Sequence, residues 1–195
     1  MKVPVTVYAE MTPNPRTMKF VANKYLLMPG DAAEFTSMQE TKGYSPLAES
    51  LFAFPFVTGV FLAANFVTVS ISENVSWDFV QMELREFIKD RKDVLIKMPV
   101  PKEEASKQDA NSSKTFEPSE FDDAIRGLLD EYVRPAVEND GGAIDFQSFD
   151  EGTVTVVMKG ACSGCPSSTA TLKGGIESLL KQHIPEVKEV VALEA

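Results

Sequence analysis

GACSGCPSS, residues 160–168, is the segment that decides the fold around it, because it joins a predicted strand to a predicted helix. The strand ends near Lys159. The helix begins at Pro166, where a missing backbone N–H removes a donor that the helix could not have used. The segment holds both cysteines of the 195-residue chain, Cys162 and Cys165. Cys165 is therefore expected at or beside a helix N-terminus, where unsatisfied N–H groups and the helix dipole favour a thiolate.

The sequence on both sides of this segment predicts a small α-β-β-α-β unit over residues 118–195. The first element of this unit is an amphipathic helix between Phe121 and Val137, and Pro135 is expected to kink that helix or to end it early. In the helix that follows the cysteines and runs to about His183, Gly174 and Gly175 are expected to interrupt and weaken the helix. The predicted turn is 140–142, and the predicted strands are 143–149, 152–158 and 187–193.

Residues 1–97 predict a second small module in which strands and helices alternate without a strict βαβ order. Two β-rich runs, Val57–Ala63 and Phe66–Ile71, are separated by two residues and suit a tight hairpin. Ser45 and Ser76 are predicted helix N-caps. The helix after Ser76 is expected to carry an apolar stripe made of Phe79, Met82, Leu84, Phe87 and Ile88. The other strand-like segments are 3–9 and 18–21, and the fold class of both modules is α+β.

Residues 98–117 are rich in Lys, Glu, Ser and Pro, and predict a flexible tether between the two modules. The net charge of the chain is −10, of which residues 118–195 carry most, with 6 basic and 14 acidic side chains. Such a surface disfavours non-specific binding to nucleic acids or to anionic membranes. No apolar run is long enough to cross a bilayer.

The first ten residues, MKVPVTVYAE, lack the features of a signal peptide and of an organellar transit peptide. This start predicts a cytoplasmic protein. In a reducing cytosol, two cysteines are expected as thiols or metal ligands rather than as a structural disulfide.

A CxxC pair is compatible with three kinds of site. A thiol–disulfide oxidoreductase is one, although its CxxC usually lies early in a thioredoxin-like pattern. Structural zinc and the common iron–sulfur clusters each need four protein ligands. The only histidine, His183, follows Cys165 by about five helical turns and cannot join the same site. The ligand count therefore indicates two chains that share one metal centre, each with its own CxxC, but it does not distinguish zinc from a 2Fe-2S or a 4Fe-4S cluster.

The second module closely resembles the NifU C-terminal-like (Nfu-type) iron–sulfur scaffold and carrier domain, over essentially all of residues 118–195. The first module resembles the N-terminal domain that accompanies it in many members, over about residues 5–95. The C-terminal resemblance is carried by Val133-Arg134-Pro135, Asp140-Gly141-Gly142, residues 160–168, Thr171-Leu172 and Ile184-Pro185-Glu186-Val187. The N-terminal one is carried by Thr12-Pro13-Asn14-Pro15, Met18-Lys19-Phe20, Ser45-Pro46-Leu47-Ala48, Gly59-Val60-Phe61, Asn65-Phe66-Val67-Thr68-Val69 and Trp77.

The resemblance implies that Cys162 and Cys165 are the ligands of a 4Fe-4S cluster shared by a homodimer, with a 2Fe-2S cluster as the alternative. It implies that the cluster is assembled on the protein or received from an upstream donor and then passes to apo-proteins, so that the chain is a scaffold or carrier and not an enzyme. The lack of a presequence suggests a bacterial-type cytosolic member. Serine at position 162 or 165 is expected to abolish cluster binding and to leave the fold intact, because the loop is expected to lie outside the core.

Overall fold

A computed structural model of the chain shows two compact units. Within the part of the chain that the structure describes, no helix is both long and apolar enough to span a membrane. The predicted tether, residues 98–117, lies outside the described residues, and so do Gly164 and Cys165. The described residues are 5–27, 31–91, 119–163 and 166–194.

The N-terminal unit is built on a five-stranded antiparallel sheet with the strand order β1-β2-β5-β4-β3. Helices α2 and α3 supply apolar residues to one core, which they share with the sheet. The α+β class is thus confirmed. The elements are β1 (Val7–Met11), β2 (Thr17–Ala22), β3 (Ala32–Phe35), α1 (Met38–Thr41), α2 (Pro46–Leu51), β4 (Val57–Ala63), β5 (Phe66–Ile71) and α3 (Trp77–Asp90).

The local predictions for this unit are largely confirmed. The β4–β5 hairpin has the predicted bounds and turns through Ala64, whose φ is +22°. The Ser45 hydroxyl accepts a hydrogen bond from the Ala48 N–H (3.1 Å), and the Ser76 hydroxyl accepts one from the Asp78 N–H (3.4 Å). Both serines are therefore N-caps, which satisfy backbone donors that the helix itself leaves unpaired.

The predicted apolar stripe on α3 is wrong at two positions. Phe79 is 83% exposed and Met82 is 58% exposed, whereas Val80, Leu84 and Ile88 are buried. Those three residues repeat every four positions, and only residues on that face of the helix can reach the sheet. Two further elements, β3 and α1, were not predicted from the sequence, and each has four residues.

The C-terminal unit has the predicted α-β-β-α-β order. Strand β7 is central, paired antiparallel with β6 and parallel with β8, and helix α6 makes the crossover between the two parallel strands. Its core gathers apolar residues from the helices and all three strands. The elements are α4 (Asp122–Leu128), a π-helical turn (Leu129–Val133), α5 (Arg134–Asn139), β6 (Gly142–Asp150), β7 (Thr153–Gly160), α6 (Pro166–His183) and β8 (Glu189–Glu194).

Pro135 does not end its helix but changes the geometry of the turn before it. The π-helical turn ends at Val133, and α5 then continues to Asn139. Proline cannot donate to the carbonyl four residues back, and its ring crowds that carbonyl. A single wider turn accommodates this defect while the helix continues.

Gly174 and Gly175 do not interrupt helix α6, which runs unbroken from Pro166 to His183. Both glycines are exposed, and a Cβ atom at either position would meet nothing within 4 Å. The prediction of an interruption is therefore wrong. A weakening of the helix by glycine stays a prediction.

Alanine at position 174 is expected to stabilise the C-terminal unit by about 0.5–1 kcal/mol, because glycine has more backbone freedom to lose in a helix. Urea unfolding followed by circular dichroism would measure this gain. A Gly174→Ala variant that is less stable than the wild type would contradict the open surroundings of this position.

Candidate metal centre

The backbone turns sharply between the end of β7 and Cys162. Gly160 has a φ of +68°, a left-handed conformation that glycine adopts without strain. Its carbonyl oxygen accepts hydrogen bonds from the Ser163 N–H (3.1 Å) and from the Ser163 hydroxyl (2.9 Å). Gly160 thus supplies the tight turn that leads to Cys162, whereas the placement of Cys165 stays a prediction.

Cys162 is part of the core of the C-terminal unit. It is 5% exposed and packs in the same apolar cluster as Ile125, Met158 and Ile176. A cysteine behaves as a small hydrophobic residue in such a position. The expectation that this loop lies outside the core is therefore wrong at Cys162.

Gly142, the first residue of β6, makes room for the Cys162 side chain. A Cβ atom on Gly142 would lie 2.8 Å from the Cys162 sulfur, 3.2 Å from its Cβ and 2.6 Å from the Lys159 carbonyl oxygen. Separations this short are not tolerated between such atoms. Only glycine therefore fits at position 142 while Cys162 keeps its place.

The residues before Gly142 tie the end of α5 to the cysteine loop. The N–H groups of Asp140 and Gly141 donate to the carbonyls of Ala136 and Glu138, both at 3.1 Å, and Gly141 has a φ of +85°. This is the left-handed ending that many helices use. The Gly141 carbonyl then accepts a hydrogen bond from the Ala161 N–H at 3.2 Å. The sequence analysis identified a turn here but missed its contact with the cysteine loop, although two adjacent glycines signal a close approach of backbones.

A group of charged side chains connects α5 to strands β6 and β7, the strands that lead to Gly142 and Cys162. Asp145 on β6 pairs with Lys159 on β7 (Oδ2 to Nζ, 3.1 Å) and with Arg134 on α5 (3.8 Å). Arg134 also donates from Nε to Asp130 at 2.9 Å. Partly exposed ion pairs of this kind contribute little stability each. Together they connect α5 to the two strands that lead to the site.

Helix α6 is held to β8 by Glu177. Its carboxylate accepts hydrogen bonds from the Lys181 ammonium (2.5 Å) and from the Val190 N–H (3.3 Å). The two hydrogen bonds lower the pKa of Glu177 below its usual value, and the bond from Lys181 has the larger effect. Helix α6, which follows the cysteines, is thus anchored to β8 at Glu177.

His183 is the last residue of α6 and is exposed. Its ring stacks on that of Tyr132, with 6.3 Å between centroids. The helix separates it from the cysteine loop by roughly 25 Å, given 1.5 Å per residue. Among the described residues, no group of three or more His, Cys, Asp or Glu side chains is arranged to hold a metal ion.

Comparison with known proteins assigns the chain to a family. Residues 125–191 match the profile described as "NifU-like domain", and residues 7–93 match "Scaffold protein Nfu/NifU N terminal". The "NFU1 iron-sulfur cluster scaffold homolog, mitochondrial" of Drosophila erecta is 35% identical over 97% of this chain and 68% of its own length. The chain belongs to the NifU-like (Nfu) family. "NifU-like protein 4, mitochondrial" of Arabidopsis thaliana is 38% identical over 94% of the chain, which spans 64% of that protein.

The names of these Nfu relatives overturn one prediction. Both relatives are described as mitochondrial, so the prediction of a cytoplasmic location is wrong. The cytoplasmic prediction rested on the first ten residues, and the start of a sequence does not decide where a protein resides. Among solved structures, the solution structure of a NifU-like protein from Saccharomyces cerevisiae aligns with 45% of this Nfu chain and 77% of its own, at 20% identity and a TM-score of 0.41.

Proposed function

We propose that this Nfu protein is an iron–sulfur cluster scaffold and carrier, in which two chains hold one 4Fe-4S cluster through Cys162 and Cys165 of each. The cluster is the cargo: it arrives from an upstream donor and leaves to apo-proteins. No substrate is converted chemically, so the protein is a carrier and not an enzyme. In this proposal residues 118–195 bind the cluster, residues 1–97 accompany it, and residues 98–117 connect the two.

The observation that carries the proposal is the position of Cys162 within the region that matches the NifU-like domain. It lies in the turn that follows the central strand β7, four residues before the start of helix α6 in the sequence. The Drosophila relative, similar along nearly the whole chain, is named an iron-sulfur cluster scaffold homolog. Four thiolates complete a 4Fe-4S cluster, and one chain has two cysteines, which supports sharing between two copies.

Transfer to a client proceeds by exchange of thiolate ligands. A client thiol loses its proton as its sulfur forms a bond to iron, and the bond between iron and a carrier cysteine breaks. The proton passes to the released carrier sulfur. Repetition of this exchange moves the cluster without any change in its oxidation state, so no oxidant or reductant is needed.

Anaerobic reconstitution with iron and sulfide tests the proposal. The expected result is a coloured dimer with about two iron and two sulfide per chain, as one 4Fe-4S cluster shared by two chains requires. A variant with alanine at both 162 and 165 is the control for iron bound elsewhere.

Two results would overturn the proposal. A colourless monomer with a reversible disulfide between Cys162 and Cys165 would indicate a thiol–disulfide oxidoreductase. A dimer that binds zinc but takes up no iron and sulfide would indicate a structural zinc site at the subunit interface.

A further inference from the structure

We infer that Gly142 provides a second position for the Cys162 sulfur, occupied when no cluster is bound, and that this position competes with the cluster for the sulfur. The inference rests on the proposed function. It makes Gly142 a positioning residue that controls how readily the cluster is released.

The first step is the geometry of the buried sulfur. Cys162 is 5% exposed, and its sulfur occupies the space where a side chain at position 142 would begin, 2.8 Å from a Cβ there. The backbone around it is fixed by the pairing of Gly142 with Gly160 and by the hydrogen bond from Ala161 to Gly141. The sulfur thus has a defined place in the core, which we call the Gly142 seat.

The second step is that the seat and the cluster exclude each other. A cluster held between two chains lies outside the core of either chain, so a sulfur that binds it must be accessible from outside. In the seat, Cys162 packs with apolar residues of its own unit. Cluster binding therefore requires the sulfur to leave Gly142 and to turn outward.

The third step follows from competition between two states. Whatever stabilises the seated sulfur stabilises the cluster-free chain, and so lowers the apparent affinity for the cluster. A carrier benefits from this arrangement, because the released sulfur has a place to go when a client takes the cluster. Removal of the seat is expected to make the carrier hold its cargo longer.

Gly142→Ala removes the seat, and Gly127→Ala is the matched control. Gly127 lies in α4 of the same unit, and a Cβ there would meet nothing within 4 Å. The first measurement is the rate at which an alkylating reagent modifies Cys162 in the full-length, iron-free chain, followed by peptide mass analysis. We expect Gly142→Ala to raise this rate by roughly tenfold or more over the wild type, and Gly127→Ala to leave it unchanged. An unchanged rate in Gly142→Ala would overturn the inference.

The second measurement is the loss of the cluster to an iron chelator. Gly142→Ala is expected to lose its cluster more slowly than the wild type and the Gly127→Ala control. A variant that is merely damaged would lose it faster, so faster or equal loss overturns the inference.

The contact with the Lys159 carbonyl could prevent the Gly142→Ala chain from folding, which circular dichroism would reveal. In that case the test uses the wild-type chain. The alkylation rate of Cys162 is expected to be lower in the folded chain than in denaturant by a factor of roughly ten or more. Equal rates would overturn the inference. Alkylation of Cys162 is measured without iron and does not depend on cluster binding. A failed reconstitution would therefore overturn the proposed function, whereas the alkylation rates would still show whether the sulfur occupies the Gly142 seat.

Discussion

Alanine at position 162 is expected to abolish iron and sulfide uptake, because each chain then offers one thiolate and a dimer offers two of the four that the cluster requires. Alanine at position 165 is expected to have the same effect. The measurement is iron and sulfide per chain after anaerobic reconstitution. Ser163→Ala is the matched control: it removes one hydrogen bond to the Gly160 carbonyl but no thiol, and should keep its cluster. A Cys162→Ala chain with a full complement of iron would refute the ligand assignment.

Substitution of Cys162 is also expected to lower the stability of the fold, whereas the sequence predicted that such a substitution leaves the fold intact. Cys162→Ala leaves a small cavity in the core and should lower the free energy of unfolding by about 1 kcal/mol. Cys162→Ser should lower it further, by about 1–3 kcal/mol, because a hydroxyl then occupies an apolar site. Urea unfolding of the cluster-free chains measures both values. If both variants matched the wild type, Cys162 would not lie in the core.

Leu180→Ala is expected to be the most destabilising of these substitutions, with a loss of about 2–5 kcal/mol in the free energy of unfolding of the C-terminal unit. Leu180 is 0% exposed and packs in the core of that unit from helix α6. A loss of this size is a large part of the total stability of a small domain. Helix α6 begins directly after the cysteine segment, so cluster loading should fall as well.

Leu193→Ala is the matched control, because this leucine is 42% exposed on β8 of the same unit, and we expect a change within about 0.5 kcal/mol. The only tryptophan, Trp77, begins helix α3 of the N-terminal unit. Its fluorescence therefore reports on that unit, whereas circular dichroism reports on both. If residues 98–117 act as a tether, Leu180→Ala should shift the dichroism transition and leave the fluorescence transition in place. Equal effects of the two leucine substitutions would contradict the observed core.

Local sequence signals were sufficient for much of the fold. The β4–β5 hairpin has the predicted bounds because two β-rich runs flank a two-residue turn, and the caps at Ser45 and Ser76 need only one side chain and its neighbours. The four-residue strand β3 was missed because so short a segment has no periodicity to detect. Phe79 was misplaced because a residue's hydrophobicity does not say which face of a helix meets the sheet.

The burial of Cys162 could not be predicted from the cysteine segment itself. Small polar residues surround the two cysteines, which indicates an exposed loop. The space for the sulfur comes from Gly142, which is distant in sequence and reaches Cys162 only through the pairing of β6 with β7. The motif carries the prediction of the metal ligands, whereas the depth of Cys162 in the fold depends on contacts between segments.

Under the proposed function, the buried sulfur also affects how the chain withstands oxidation while it holds no cluster. Peroxides attack an accessible thiolate, and a disulfide forms only when two Cβ atoms approach to about 4 Å with the sulfurs directed at each other. The Cys162 sulfur is directed instead at the start of β6 and is shielded by core residues. Oxidation of Cys162 in the cluster-free chain, whether to a sulfenic acid or to a disulfide with Cys165, therefore depends on how often the Cys162 side chain leaves the core. Under the proposed function, the fold thus protects the Cys162 sulfur during the interval between clusters.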